Sequence, residues 1–111
     1  MTDIKRADQD TSMQWLMQDE DKTTAGLSLA KLTIRSGATS ELHFHPNCNE
    51  CIHVLEGQIR QRIGHQWSEM SAGDTCLIPE GVQHQSQNIG SDAAVLMIAY
   101  SNGRRDYTAL D

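Results

Sequence analysis

The most constraining feature of the sequence is the stretch over residues 37–57, GATSELHFHPNCNECIHVLEG, which places three potential metal ligands within eight positions. His43 and His45 are two residues apart, so on a β-strand their side chains leave the same face. A tight loop can then bring Glu50 to the same point from the next strand, which we expect to pair back against the first. The stretch therefore predicts a ligand cluster at one end of two strands.

A second stretch, residues 73–88 with the sequence GDTCLIPEGVQHQSQN, supplies a further histidine. His84 follows a turn predicted at Pro79-Glu80-Gly81. Three imidazoles and one carboxylate form a ligand set typical of a first-row transition metal. The sequence does not choose among Fe, Mn, Ni, Zn, Cu and Co.

Both stretches resemble the two sequence motifs of the cupin family. In the first, glycine, His-x-His, glutamate and glycine occur at the family's spacing as Gly37, His43, His45, Glu50 and Gly57. In the second, glycine, Pro-x-Gly, histidine and asparagine occur as Gly73, Pro79, Gly81, His84 and Asn88. The resemblance implies an all-β fold, the cupin double-stranded β-helix or jelly-roll barrel. It also implies one divalent transition metal per chain, held by His43, His45, Glu50 and His84.

The pattern of short apolar segments separated by turn residues also favours an all-β sandwich or barrel, without a clear helix. We expect a flexible N-terminal arm over residues 1–11, a single barrel domain over 12–103 and a polar C-terminal tail over 104–111. Residues 12–17, in which Met13, Trp15 and Met17 alternate with other residues, predict a first strand or a dimer-crossing arm. In residues 27–34 the apolar positions change parity, which predicts a bulge near Ala30–Lys31.

Two residues are candidates for catalysis. Glu41 shares the strand parity of His43 and His45, so it could line a pocket as a general base, or equally be solvated at a strand beginning. Gln61 is a polar residue on the same predicted face as Ile59 and could contact a substrate or metal-bound water.

Other candidates keep two interpretations each. Tyr100 and Trp67 are core residues or pocket walls. Arg104 and Arg105 lie in the predicted tail, where a solvated position is favoured over a clamp for a carboxylate substrate.

His53 lies three residues after Glu50 and should face away from the metal, towards a sheet-packing or dimer surface, because side chains alternate along a strand. His65 belongs to a predicted hairpin turn and should be solvated. Cys48 and Cys51 have the spacing of a redox pair or half of a zinc site. No second such pair exists in the chain, so two free thiols are the favoured interpretation.

Charge and cysteine usage limit the partners and the compartment. The formal net charge is −6 with histidine neutral, which argues against nucleic acid because phosphate binding needs clustered Lys and Arg. There is no apolar run long enough for a membrane span and no signal-peptide pattern at the N-terminus. The cysteine count is three, which favours reduced thiols. We expect a cytoplasmic protein, and the resemblance implies a homodimer.

The function remains open between classes, because the cupin fold supports many activities. The favoured hypothesis is a metal-dependent enzyme acting on a small polar molecule, an organic acid or sugar derivative, as an oxygenase, isomerase or lyase. The alternative is a non-catalytic small-molecule or metal-binding module. A third possibility is a structural dimer in which the metal holds the barrel together.

Overall fold

The computed structural model describes residues 10–19 and 26–110, and within them the chain forms β-strands and no helix. Most of the predicted N-terminal arm lies outside these residues. No helix in the described part of the chain is long and apolar enough to cross a membrane. In chain order the strands are β1 (Thr11–Met17), β2 (Ser28–Ile34), β3 (His43–Phe44), β4 (Glu50–Glu56), β5 (Gln58–Ile63), β6 (Gln66–Ser71), β7 (Thr75–Ile78), β8 (His84–Asn88), β9 (Ala94–Tyr100) and β10 (Thr108–Ala109).

The strands form two antiparallel sheets of five strands each. Sheet 1 has the order β1-β2-β9-β4-β7, and sheet 2 has the order β10-β3-β8-β5-β6. One hydrophobic core lies between them, with Ile34 and Leu96 contributed by sheet 1 and Ile59 and Met70 by sheet 2. Each sheet thus buries one face against the other. The all-β jelly-roll prediction is confirmed.

The register of β2 differs from the prediction, and the bulge expected near Ala30–Lys31 is wrong. β2 pairs with β9 without interruption, and the irregularity lies instead in β1, between Trp15 and Met17. Ala30 is buried and pairs with the buried Trp15, so a small residue faces inward where a bulky ring from the neighbouring strand occupies the space. That small inward residue made the alternation along β2 look broken in the sequence.

The sequence predicted that the strand carrying Glu50 would pair back against the histidine strand, and this prediction is wrong. β3 pairs with β8 and β10 in sheet 2, whereas β4 pairs with β7 and β9 in sheet 1. The connection over residues 45–49 therefore crosses from one sheet to the other. As a result, the carboxylate approaches the histidines across the interior of the barrel.

The hairpin of β5 and β6 follows the predicted pattern, with Gly64-His65 as its turn. Gln61 is buried, and Arg60 lies on the outward face with its guanidinium 4.9 Å from the Trp67 ring centroid. Trp67 is 38% exposed. It is therefore neither a core residue nor a pocket wall, because its strand parity turns it to the solvent side of sheet 2.

Gly57 connects β4 of sheet 1 to β5 of sheet 2 with a φ of 91°. A Cβ at this position would lie 3.0 Å from the Ala94 Cα. We expect Gly57→Ala to lower the free energy of unfolding by about 2–4 kcal/mol, because left-handed strain and overpacking add. Gly73→Ala is the matched control, since Gly73 has a φ of 97° and open space where its Cβ would be. Urea denaturation compares the two variants, and equal losses would contradict the packing contribution.

Candidate metal centre

The four predicted ligands meet at one point between the two sheets. His43, His45 and His84 come from sheet 2 or its margin, and Glu50 begins β4 of sheet 1. One ligand atom from each residue lies within 4.8 Å of all the others. Three of the four side chains are buried, and His43 is half-buried. The structure thus brings together the full set that the sequence indicated, although the two faces that supply it belong to different sheets.

The backbone fixes the tautomer of each histidine. Nδ1 lies 2.7 Å from the Glu41 carbonyl in His43, 2.8 Å from the Asp106 carbonyl in His45 and 2.9 Å from the Val82 carbonyl in His84. A carbonyl oxygen only accepts, so each Nδ1 donates its proton. The lone pair of each neutral imidazole is then on Nε2. The hydrogen bond to the backbone orients the ring, as such bonds do for metal-bound histidines.

The inward-facing atoms have no hydrogen-bond partner outside the cluster. Nε2 of His45 and of His84, together with Oε1 of Glu50, are buried and otherwise unsatisfied. Oε1 lies 3.0 Å from His45 Nε2 and 2.9 Å from His84 Nε2. Lone pairs at these separations repel one another unless a proton or a metal ion lies between them. This donor set, three imidazoles and one carboxylate, suits a divalent transition metal.

The pKa values of Glu50 and His84 indicate that the buried carboxylate is stabilised by a positive charge beside it. Burial alone would raise the pKa of Glu50, but the hydrogen bonds to His45 and His84 lower it to about 2. Burial would lower the pKa of His84, but its contact with Glu50 raises the value above 6.5. Burial, followed by the charge of His84, lowers the pKa of His43 to about 3. Without metal, a proton on His84 therefore satisfies the carboxylate.

This assignment predicts that metal binding releases a proton. Below its raised pKa, His84 is protonated in the metal-free protein, and a metal ion must displace that proton. Metal affinity should therefore rise with pH until the pH exceeds the pKa of His84. Calorimetric titration near pH 6.5, the ordinary pKa of histidine, should give different binding enthalpies in phosphate and in Tris, which differ in ionisation enthalpy. Identical enthalpies in the two buffers would contradict the prediction.

A cavity of about 320 Å³ opens beside the cluster. His43, Glu50 and His84 form part of its wall, so a small molecule in the cavity would reach the ligand atoms. Glu41 also lines it and is exposed, with its Oε1 accepting a hydrogen bond of 2.5 Å from the Tyr107 hydroxyl. Glu41 is thus exposed at the cavity wall, and its role as a general base stays a prediction.

Gln61 is buried behind this wall. Its Oε1 accepts a hydrogen bond of 2.5 Å from the Ser86 hydroxyl, and its Nε2 donates to the Arg62 carbonyl at 3.2 Å. Ser86 lines the cavity, so Gln61 orients a residue of the wall. Its contact with a substrate stays a prediction.

Tyr100 was predicted to be either a core residue or a pocket wall, and it is both. Its side chain is 2% exposed and lines the cavity.

The remaining histidine and cysteine predictions concern residues outside the cluster. His53 faces away from the ligands and contacts the Thr75 hydroxyl through Nδ1 at 2.7 Å. Cys48, Cys51 and Cys76 are free. Burial, followed by the charge of Glu50, raises the pKa of the Cys48 thiol to about 11, so it stays protonated and is a poor metal ligand at neutral pH. Cys76 packs against the core, as expected for an inward small residue.

The segment over residues 103–110, much of which the sequence analysis treated as a polar tail, lies against the site. Asp106 supplies the carbonyl that orients His45, and the Tyr107 ring stacks on His43 with centroids 4.4 Å apart. β10 then pairs with β3. Arg105 lines the cavity and is half-buried, so its predicted solvation is wrong, whereas Arg104 is exposed. No sequence motif marks these residues, because their contribution depends on the path of the chain.

The fold and the cluster agree with the relatives of the chain. A family model described as the cupin domain matches residues 30–100. Germin-like protein 3-8 of Oryza sativa subsp. japonica is 30% identical over an alignment of 84 positions, which covers 71% of this chain and 37% of that protein. Oxalate decarboxylase OxdC of Bacillus subtilis (strain 168) is 31% identical over an alignment of 81 positions, which covers 68% of this chain and 21% of that protein. The chain belongs to the cupin family.

Solved structures support the fold independently. A structure of oxalate oxidase superposes with a TM-score of 0.81 at 22% identity, over 89% of this chain and 54% of that one. A mutant of the Bacillus subtilis oxalate decarboxylase superposes with a TM-score of 0.84 at 23% identity, over 95% of this chain and 29% of that one. The chain thus spans well under two thirds of the length of these relatives. The family match contains all four ligands and ends before Arg105 and Tyr107.

Proposed function

We propose that the protein is a metal-dependent enzyme acting on a small polar molecule, an organic acid or a sugar derivative. One divalent transition metal per chain would be held by His43, His45, Glu50 and His84. The observation that carries the proposal is a set of three buried ligand atoms without a hydrogen-bond partner outside the cluster, beside an open cavity. They are Nε2 of His45, Nε2 of His84 and Oε1 of Glu50. A bound ion supplies a Lewis acid and, if redox-active, an electron carrier.

The residues around the cluster provide the other functions that a reaction needs. Glu41 offers a carboxylate at the cavity wall that can accept a proton from a bound molecule. The Tyr107 hydroxyl donates to that carboxylate and holds it in place. Burial, followed by the contact with Glu41, raises the pKa of Tyr107, so the hydroxyl keeps its proton and remains a donor.

The relatives suggest which metal and which substrates to test first. Two of them are named for oxalate, one as a decarboxylase and one as an oxidase. A further structure of the decarboxylase is described by its Mn(II) centres. Manganese and small organic acids are therefore the first choices for this chain.

The experiment is a substrate screen on manganese-loaded and metal-free protein, each with and without dioxygen. We expect turnover of at least one small acid by the loaded protein only. Oxygen uptake would select an oxygenase, and turnover without oxygen a lyase or isomerase. Glu41→Gln should lower kcat by roughly 10²–10⁴-fold, whereas Glu69→Gln, an exposed carboxylate on the outward side of sheet 2, should not. Full metal loading without any turnover would contradict the proposal.

A non-catalytic binding module is the second candidate. The observation that favours it is that both candidate catalytic side chains have protein partners, Glu41 with Tyr107 and Gln61 with Ser86 and Arg62. Tight binding of a small acid by the loaded protein, without turnover, would select this function.

We also propose that the protein is a homodimer formed through the outward face of sheet 1. Paired positions there form an apolar row across the whole sheet, namely Met17, Leu29, Ala99, Cys51 and Leu77. Leu77 is 61% exposed, and an exposed apolar row of this kind is typical of an interface.

Light scattering at micromolar concentration should therefore give the dimer mass. Leu77→Asp should give the monomer, because it places a charge within the row. Trp67→Ser, on the outward face of sheet 2, is the control and should leave the mass unchanged. A monomeric wild-type protein would contradict the proposal.

A further inference from the structure

The guanidinium of Arg105 is surrounded by aromatic rings. Its Cζ lies 5.0 Å from the Trp15 ring centroid, 5.2 Å from that of Tyr100 and 5.0 Å from that of Tyr107. One Nη2 contact of 3.3 Å to the Met13 sulfur completes the surroundings. Ring faces attract the positive charge, but they provide no acceptor for the planar set of N–H donors. The cage therefore holds the cation in place, and the acceptor it offers is the Met13 sulfur, which is a weak one.

The donors of Arg105 lack an acidic partner among the described residues. Nε is buried without a hydrogen-bond partner, and the ion pairs in the described part of the chain do not include Arg105. Leaving a buried charged donor unpaired is costly. Arg104, the adjacent residue, is different: it is exposed and donates to the Asp19 carbonyl. The unpaired state is thus specific to the arginine beside the cavity.

The position of Arg105 connects it to the ligand cluster. It lines the same cavity as His43, Glu50 and His84. With neutral histidines, the single negative charge of Glu50 would offset only one of the two positive charges of a divalent ion. Asp10 also lines the cavity, but its charge is offset by the ion pair with Arg35. Together with Arg105, the cavity would then carry a net positive charge even when Glu41 is counted. That balance favours an anionic ligand.

We propose that Arg105 is a specificity-determining residue that binds a carboxylate of a ligand whose other end reaches the His43, His45, Glu50 and His84 cluster. The planar guanidinium matches a carboxylate with two parallel hydrogen bonds. This inference rests on the proposed function, since it places the ligand in the same cavity. The proposal favours an organic diacid over an uncharged sugar derivative as the ligand. It also assigns binding of the carboxylate to the C-terminal segment, which lies beyond the residues matched by the family model.

The test is calorimetric binding of oxalate, malonate and succinate to manganese-loaded protein, each compared with its uncharged diamide. We expect at least one diacid to bind more tightly than its diamide. Arg105→Gln should weaken binding of that diacid by roughly ten- to hundredfold, the range for hydrogen bonds to charged groups. Arg104→Gln is the matched control, because it removes the same charge one residue away, and it should have little effect. Equal weakening in both variants, or no preference for any diacid, would overturn the proposal.

Two further readouts separate this proposal from a failure of the metal assignment. Metal content should be the same in Arg105→Gln and in wild type, which a general collapse of the site would not allow. In a Trp67→Phe background Trp15 is the remaining tryptophan, and its emission should change on diacid binding, with or without metal. If the wild type binds no metal, an Arg105-dependent emission change still supports the subsite, and no change overturns it.

A conservative variant covers the case in which Arg105→Gln does not fold. Arg105→Lys keeps the charge and the packing of the stem but loses the planar pair of donors. We expect it to bind the diacid several-fold more weakly than wild type while the diamide is unaffected. Unchanged diacid affinity in Arg105→Lys would contradict bidentate recognition.

Discussion

Replacing His84 with alanine should reduce the metal content from close to one ion per chain to nearly none. The substitution removes one of four ligands and leaves Glu50 buried with one fewer partner. Loss of a residue that only hydrogen-bonds to a ligand weakens metal binding by roughly 10–100-fold, and loss of a ligand itself should exceed that. His43→Ala should behave in the same way.

Thermal unfolding provides a second measure of the same loss. A metal that binds only the folded protein adds about 2.7 kcal/mol of stability when its free concentration is 100 times Kd. Wild type should show this gain, and His84→Ala should not. His53→Ala is the matched control, because His53 is also a histidine on a strand but faces the opposite side of sheet 1. Full metal occupancy in the His43→Ala, His84→Ala double variant would refute the ligand assignment.

Ending the chain at Gly103 should weaken metal binding by roughly 10–100-fold, although it removes none of the four ligands. The truncation removes the Asp106 carbonyl that orients His45 and the Tyr107 ring that stacks on His43. It also exposes Trp15 and Tyr100 where Arg105 covers them. We therefore expect a lower free energy of unfolding as well.

Tyr107→Phe is the control for the truncation. It keeps the ring that stacks on His43 and removes only the hydroxyl that donates to Glu41. Metal affinity in this variant should stay close to that of wild type. If the truncated chain bound metal as tightly as the full chain, the C-terminal segment would not contribute to the centre.

The cluster of four candidate ligands was predictable because spacing along the chain determines much of it. His43 and His45 share a face by strand parity, and His84 follows a turn at a fixed distance. The same parity argument correctly turned His53 away. Glu50 was predicted as a ligand, but its sheet was not, because a short loop can return to the same sheet or cross to the other one. Only the packed structure distinguishes these paths.

The contribution of residues 104–110 was not predictable for a different reason. The Asp106 contact to His45 is made by a backbone carbonyl, which every residue possesses. Arg105 looked like a solvated charge because nothing local indicated that Trp15, Tyr100 and Tyr107 would surround it. Likewise, the small Ala30 that faces inward on β2 pairs with the bulky Trp15 of the neighbouring strand. In each case the determining contact is distant in sequence.

Anomalous X-ray diffraction from crystals of manganese-loaded protein would locate the ion. We expect one strong anomalous peak per chain, bonded to Nε2 of the three histidines and to the Glu50 carboxylate. Nδ1 of each histidine should remain bonded to its backbone carbonyl. No peak at this position, or a peak at Cys48 and Cys51 instead, would contradict the account.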